Sequence, residues 1–338
     1  MSWIKNFLQI SFFTIVLFVV IDFAVTSFHG SRGFSKFFVS DSVEGRKNKP
    51  GFSATFGSPL DEFKGLVSIG LNGERTSFAN DCENVKNTTL FIGDSTTAGF
   101  EVNDDKTFVS LYNMNCMKTK RLGVNFGVRA HDTHAVIGTY IRVNDYLPHD
   151  SVVYLMTEND FAENIDPNAY SMMSRRFGRR YESEILKPES TLMFRLTANL
   201  RSFVGDNLSF TTFLLSKSPI FVNIPQDKSF SSQKVNKATE LITKLHALVS
   251  ANGAHLYVIP FPNIRNKAND ERNNLVTHLE AEVRKELPQV SFVNIDLKTR
   301  ELVERDGQNL QDMIFKNDGH LSEYGHKIIS EVLIGLSI

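Results

Sequence analysis

The stretch Thr89-Leu90-Phe91-Ile92-Gly93-Asp94-Ser95-Thr96-Thr97-Ala98-Gly99 is where the chain first becomes regular. Its apolar opening, residues 89–92, reads as a short buried strand that stops at a Gly-Asp-Ser turn. A serine on the turn just after a buried strand stands at the carboxyl edge of a sheet with its hydroxyl exposed, where a nucleophile belongs. Taken alone, the tripeptide is equally an ordinary turn or a helix N-cap.

Working outward, residues 121–126 and 151–156 are two more strand candidates. Between them Val136, Tyr140, Val143 and Leu147 recur at helical spacing. Strand, helix, strand is the signature of a parallel sheet. The alternation resumes with Val235, Ala238, Ile242, Leu245 and Val249 on one helix, a strand at 255–260, a charged helix at 270–287 and a strand at 291–295. Ile328, Ile329, Val332, Leu333 and Leu336 then stripe a C-terminal helix. Five strands with intervening helices predict a flavodoxin-like three-layer α/β/α sandwich with a five-stranded parallel sheet. Residues 161–230 fit no βα unit and are expected to form an insertion over one end of the sheet, where ligands of open parallel sheets bind.

The first thirty residues differ in kind. Residues 7–28 are mostly Phe, Leu, Ile and Val, long enough to span a bilayer. About fifteen such residues at roughly −0.3 to −0.6 kcal/mol each outweigh the roughly +3 kcal/mol that Asp22 would cost at mid-bilayer. With Lys5 ahead of the apolar run and no small-x-small cleavage site around residues 24–31, the segment reads as an uncleaved signal anchor. A cleaved signal peptide and a buried core helix are the alternatives. Charge does not orient it, because Arg32, Lys36, Arg46, Lys47 and Lys49 follow the span and only Lys5 precedes it. The expected division is a transmembrane helix at 1–30, a juxtamembrane linker and irregular N-terminal cover at 31–87, and a catalytic domain at 88–338.

The formal net charge of −1 supplies no field that would draw the molecule to nucleic acid, so none is expected as a partner. The two cysteines, Cys82 and Cys116, are equally compatible with a disulfide and with packed free thiols. Asn87-Thr88-Thr89 and Asn207-Leu208-Ser209 are formal glycosylation sequons.

Three further stretches carry chemistry. In Asn317-Asp318-Gly319-His320-Leu321-Ser322, His320 precedes a helix and follows an acid by two residues. One ring nitrogen can then take the Ser95 proton while Asp318 holds the other. The competing reading is a surface histidine beside a helix capped by Ser322, with Gly325 in its first turn. Asn125-Phe126-Gly127-Val128 follows a strand, and Gly127 offers a backbone N–H that can approach a tetrahedral oxygen. Asn159, in Thr157-Glu158-Asn159-Asp160, adds a side-chain donor at the next strand end.

These four blocks resemble those of the SGNH, or GDSL-like, hydrolase superfamily, with Ser95, Gly127, Asn159 and His320 in the family's order from about residue 87 to the C-terminus. The resemblance implies ester hydrolysis or acyl transfer through an acyl-serine. Its oxyanion would be held by the N–H groups of Ser95 and Gly127 and the Asn159 amide, without a metal or other cofactor. It departs at Thr96, where the family has Leu, and at Thr157, where a Gly usually stands and the change narrows the site. The family's acid lies three residues before the histidine, here Asn317; branches resembling polysaccharide acetylesterases and O-acetyltransferases use the shorter spacing, which selects Asp318.

Together with the apolar N-terminus, this reading expects a single-pass membrane protein whose catalytic domain lies outside the cytoplasm. Its expected substrate is an acylated carbohydrate or lipid, the acyl group being small, such as acetyl. An O-acyltransferase served by a membrane acyl-donor partner, and a degenerate domain that binds glycan or scaffolds a complex, are the rivals. His131, Asp132 and His134 read as capping or supporting groups rather than metal ligands, and His326 as a packing residue. Arg175, Arg176, Arg179 and Arg180 form either a solvated face or a rim for an anionic substrate. Asp104-Asp105-Lys106 is a polar lead-in to a helix near 108–114.

Overall fold

The structure is a computed structural model that describes residues 2–29, 35–41, 43–58, 62–79, 82, 85–165, 231–262, 264, 271–336 and 338. Most of the insertion expected at 161–230, with its four arginines and the Asn207 sequon, lies outside these residues.

Five parallel strands form the central sheet: β5 (Asn87–Gly93), β6 (Arg121–Asn125), β7 (Ser151–Met156), β8 (His255–Pro260) and β9 (Ser291–Phe292), in spatial order β6-β5-β7-β8-β9. Leu90 lies beside Val124 on one side and Val152 on the other, and Val153 beside Tyr257. Because side chains alternate across a strand, Leu90 and Ile92 join one core with Val152 and Tyr154, while Phe91 joins the other with Val153 and Leu155. The first core is closed by α5 (Thr133–Asn144), α7 (Ser232–Ala251) and α8 (Glu271–Glu286). Their Val136, Tyr140, Val143, Ile242, Leu245 and Leu279 are all buried, each such side chain stabilising by about 1.5–3 kcal/mol. The second core is closed by α3 (Phe108–Asn113), α9 (Asp296–Arg305) and α10 (Glu323–Gly335), through Phe108, Tyr112, Val303, Ile328 and Val332. The three layers and five strands match the pattern expected from the sequence. The last strand is shorter than expected, two residues in place of five, because the chain leaves the sheet edge after Phe292 and starts α9 at Asp296.

The N-terminal cover is not irregular. It contains two antiparallel hairpins, β1 (Phe38–Asp41) with β2 (Gly45–Asn48) and β3 (Ser53–Gly57) with β4 (Lys64–Ser68). In β2 the inward residues are Arg46 and Asn48, both buried, so no apolar alternation marks the strand in sequence. Phe37, Phe38, Phe56, Phe63 and Val67 form a third core that packs on Phe100 and Val128. Buried polar links reinforce it: Glu44 pairs with Arg142, the Thr139 hydroxyl donates to Glu44 at 2.6 Å, and Arg75 pairs with Asp104 at 2.9 Å.

Helix α1 (Ser2–His29) includes a 22-residue span, Trp3–Ala24, with mean hydropathy 2.3. Its Phe7, Phe12, Phe13 and Leu17 are exposed, so it is not a core helix. By length and composition it is fit to cross a membrane or to act as a signal sequence. Cys82 and Cys116, the latter opening α4 (Cys116–Thr119), form a disulfide with Cα atoms 6.1 Å apart.

Candidate active site

The strand order runs outward in opposite directions from β5 and β7, so these two neighbours flank the topological switch point, where the carboxyl ends of an open sheet leave a crevice. Ser95 follows β5 and Asn159 follows β7. Asp94 caps the short helix α2 (Ser95–Ala98) by accepting from Thr96 N at 2.8 Å, which stands Ser95 at the helix start.

His320 reaches Ser95 from the loop before α10. An antiparallel bridge between Ile314 and Leu321, closed by Phe315 N donating to His320 O at 2.9 Å, fixes this loop. Gly319 makes the turn at φ 85°, a conformation that favours glycine. Ser322 caps α10 by accepting from Gly325 N at 3.1 Å. The result is a line of groups: His320 Nε2 lies 2.8 Å from Ser95 Oγ, and His320 Nδ1 is bonded to Asp318 Oδ1. With Nδ1–H donated to the carboxylate, Nε2 is the basic nitrogen facing the hydroxyl. Sequence separation between Ser95 and His320 is 225 residues, so only the fold brings them together.

Two charged residues that the sequence reading passed over stand behind this line. Glu101, buried, lies with Oε1 3.5 Å from His320 Nδ1, and Arg129 pairs with Glu101. Burial pushes the His320 pKa down and Arg129 does the same, but the charges of Glu101 and Asp318, with the Asp318 hydrogen bond, outweigh both and hold it above the usual histidine value. Glu101, Asp318 and His320 place one ligand atom each within 4.8 Å of one another, which is metal-like spacing. The Arg129 guanidinium on Glu101 already supplies the positive charge there, and the group reads as an ion network around the imidazole. The signal in sequence is faint: one charge of each sign inside apolar text, Phe100-Glu101-Val102 and Val128-Arg129-Ala130.

The expected oxyanion donors divide. The Ser95 N–H opens the first turn of α2, where amides have no intrahelical acceptor. Asn159 stands beside Thr157, whose hydroxyl is 2.6 Å from Asn159 Oδ1 and 2.8 Å from Asp94 Oδ2. Thr157 thus links the cap of the nucleophile helix to the amide. The Gly127 N–H, the third expected donor, donates to Asn125 Oδ1 at 2.9 Å within its own loop. The glycine is also needed for space, since a Cβ there would sit 2.3 Å from Ala98 N. Asn125, fully buried, also donates to Thr97 O at 2.8 Å, tying this loop to α2. Farther along, Ala130 takes φ 61°, a left-handed conformation that costs a non-glycine residue about 1–2 kcal/mol.

The remaining candidates find structural places. His131 is buried with Nε2 2.9 Å from Arg46 O, Asp132 caps α5 by accepting from Ala135 N, and His134 is exposed. Asp104–Lys106 is the expected lead-in turn to α3, and its Asp104 is the buried partner of Arg75. His326 is fully buried on α10, stacked on Phe108, its Nδ1 accepting from Phe108 N at 3.1 Å. Burial, then the charges of Arg75 and His320, push its pKa down to about 3, so it is neutral.

A hydroxyl, an imidazole and a carboxylate in series at the switch point of a parallel sheet define a serine hydrolase. Residues 90–333 match the family described as GDSL-like lipase/acylhydrolase, and the chain belongs to it, an ester hydrolase of the SGNH type. A search of curated proteins finds no sequence match. Among solved structures, the chain is similar to a lipolytic protein of the G-D-S-L family from Desulfitobacterium hafniense (12% identity, 74% of this chain, 99% of that one, TM-score 0.42). It is also similar to a catalytic mutant of an acetylxylan esterase from Geobacillus stearothermophilus (12%, 78%, 96%, 0.44). A third is an α/β hydrolase from the metagenome of Lake Arreo, Spain (11%, 78%, 97%, 0.43).

Proposed function

We propose that this esterase works through an acyl-Ser95 intermediate, and that it removes or transfers a small acyl group, acetyl above all, on a carbohydrate- or lipid-containing substrate outside the cytoplasm. The observation that carries the catalytic part is the 2.8 Å contact between Ser95 Oγ and His320 Nε2, with Asp318 on the far nitrogen. As Ser95 attacks the ester carbonyl, His320 takes its proton, and the imidazolium formed is stabilised by Asp318. The Ser95 N–H and the Asn159 amide supply the oxyanion donors; Gly127 contributes by letting its loop close on α2. His320 then returns the proton to the leaving alcohol, and water or a sugar hydroxyl releases the acyl group with His320 again as base.

A small acyl group is favoured by Thr157, whose buried side chain occupies the space beside Asn159 that glycine would leave open. The disulfide between Cys82 and Cys116 suits an oxidising compartment, and α1 suits an anchor at its boundary. The same anchor favours the transfer reading, since it would hold the site near a membrane acyl donor.

The test is hydrolysis of p-nitrophenyl acetate by the full chain in detergent, as wild type and Ser95→Ala. We expect kcat/KM to fall by at least about 10³-fold in the variant; equal rates would remove Ser95 as nucleophile. Supplying acetylated and unacetylated glycan then separates the products, free acetate marking hydrolysis and acetyl on the acceptor marking transfer.

A further inference from the structure

We infer that Glu101, clamped by Arg129, is a second carboxylate for the catalytic imidazole: a positioning residue that stabilises protonated His320 and sustains turnover when Asp318 is neutral. The inference rests on the serine-hydrolase reading above and deepens it.

The geometry is specific. His320 Nδ1 faces two acids, Asp318 Oδ1 in its bond and Glu101 Oε1 at 3.5 Å, so a small rocking of the ring exchanges one acceptor for the other. The Glu101 side chain is 1% exposed, and its Oε2 has no hydrogen-bond partner among the described residues. A buried carboxylate left half-satisfied is costly, and such a group is retained where its charge is used. Its Oε1 is fixed by Arg129, whose guanidinium lies 5.0 Å over the Phe56 ring and whose carbonyl accepts from Arg46 of the cover. Glu101 stands three residues beyond the end of α2 and next to Phe100, which is buried in the cover core.

The charged and titratable groups around His320 are Asp318 on its own loop, Glu101 after α2, Arg129 after β6, and His326 on α10 with Arg75 beyond it. His326 is neutral, so the charge that His320 feels is set by the two acids against Arg129. An opposite charge at this range raises a pKa by about one pH unit or more. The Glu101 charge raises the His320 pKa alongside the charge and hydrogen bond of Asp318. Replacing Glu101 with glutamine removes that upward contribution while the Arg129 charge stays, and so lowers the His320 pKa.

The experiment uses the full chain in detergent with ring-labelled histidine, the His320 resonance being assigned by its loss in His320→Ala. NMR titration should show the His320 pKa falling by about one pH unit in Glu101→Gln, with the acid limb of the kcat/KM profile moving down by the same amount. Because removing the Glu101 charge beside buried Arg129 destabilises the fold, Glu101→Gln/Arg129→Met is measured too; it should shift the same way by less, since both the raising and the lowering charge are gone. Asp318→Asn should keep at least about tenfold more activity than Asp318→Asn/Glu101→Gln, the equivalent of one pH unit in imidazolium stability. A His320 pKa unchanged in both Glu101 variants, or equal activity of the two Asp318 variants, overturns the inference. The titration is read without turnover, so a failure of the serine mechanism, seen as an active Ser95→Ala, is distinguishable from a failure of this one.

Discussion

Gly127→Ala isolates what the glycine at this position does. The substitution retains the backbone N–H, so any loss it causes is a loss of space and not of a donor. In the structure the added Cβ would lie 2.3 Å from Ala98 N, 2.6 Å from Thr97 C and 2.7 Å from Thr97 Cβ. Favourable contacts between non-bonded heavy atoms sit at about 3.5–4.0 Å, so the two backbones must part by about 1 Å. The loop cannot retreat freely, because Asn48 of the cover donates to Gly127 O at 3.0 Å and Asn125 ties it to Thr97 O. The movement therefore falls on α2, the four-residue helix that begins with Ser95.

Overpacking of this kind costs about 1–3 kcal/mol, and in a domain of this size each kcal/mol lowers the melting temperature by roughly 2–4 °C. The effect on rate is larger in proportion. A shift of about 1 Å at Ser95 takes its oxygen out of proton-transfer reach of His320, from 2.8 Å, and misplacement on that scale costs about 10²-fold. Thermal unfolding by circular dichroism and p-nitrophenyl acetate turnover measure the two effects on one preparation. Wild-type kcat/KM with a wild-type melting temperature would show that the loop and the nucleophile helix are not in the contact described.

Two further outcomes follow from buried groups. The Cys82–Cys116 bridge closes a 34-residue separation, for which loop entropy gives about 3–4 kcal/mol; Cys82→Ser/Cys116→Ser should lose that much in urea titration, and an unchanged midpoint would refute it. His326 has a folded pKa of about 3 against an ordinary 6.5, so between these values the unfolded chain binds a proton that the folded chain refuses. Stability is then complete above the unfolded value and falls as pH drops, by up to about 1.4 kcal/mol per pH unit. His320, whose folded pKa is raised, acts in the opposite sense: its contribution is complete below the unfolded value and is lost as pH rises through the folded one. Urea midpoints between pH 6.5 and 4 should decline less steeply in His326→Phe; parallel curves for both proteins would sink the assignment.

Most of the catalytic domain was legible because each of its layers buries apolar side chains at a fixed period. Val235, Ala238, Ile242, Leu245 and Val249, all buried on α7, are such a stripe. The Ser95 and His320 blocks were legible for a related reason, as polar residues of limited type stand at the ends of apolar runs. Glu101 and Arg129 were not, since a buried polar residue is recognisable only by its partner, and these two lie 28 residues apart in sequence. Asn125 and Gly127 show the limit sharply: they stand two residues apart in one motif, yet only the fold reveals that the asparagine side chain takes the glycine N–H. The Cys82–Cys116 pair was open on the same ground, as distance in sequence does not give distance in space.

The cover hairpins illustrate why such misses cluster around function. Besides bracing the cover itself, where Arg46 lies over the Phe38 ring, their polar groups reach the loops that carry the site. Asn48 holds Gly127 O, Arg46 holds Arg129 O, and Glu62 accepts from Asn317 N at 2.6 Å, beside the acid and base. Phe63 packs on Phe315 of the histidine loop with ring centroids 5.2 Å apart, and Phe37, Phe38 and Phe56 surround Phe100 next to Glu101. The loops bearing Gly127, Glu101 and His320 leave different elements of the sandwich, and the cover touches all three. Positioning a serine, an imidazole and two acids to within a few tenths of an ångström requires such bracing, because loops alone do not hold that tolerance. The segment whose sequence looks least structured is thus built around the residues that the chemistry needs fixed.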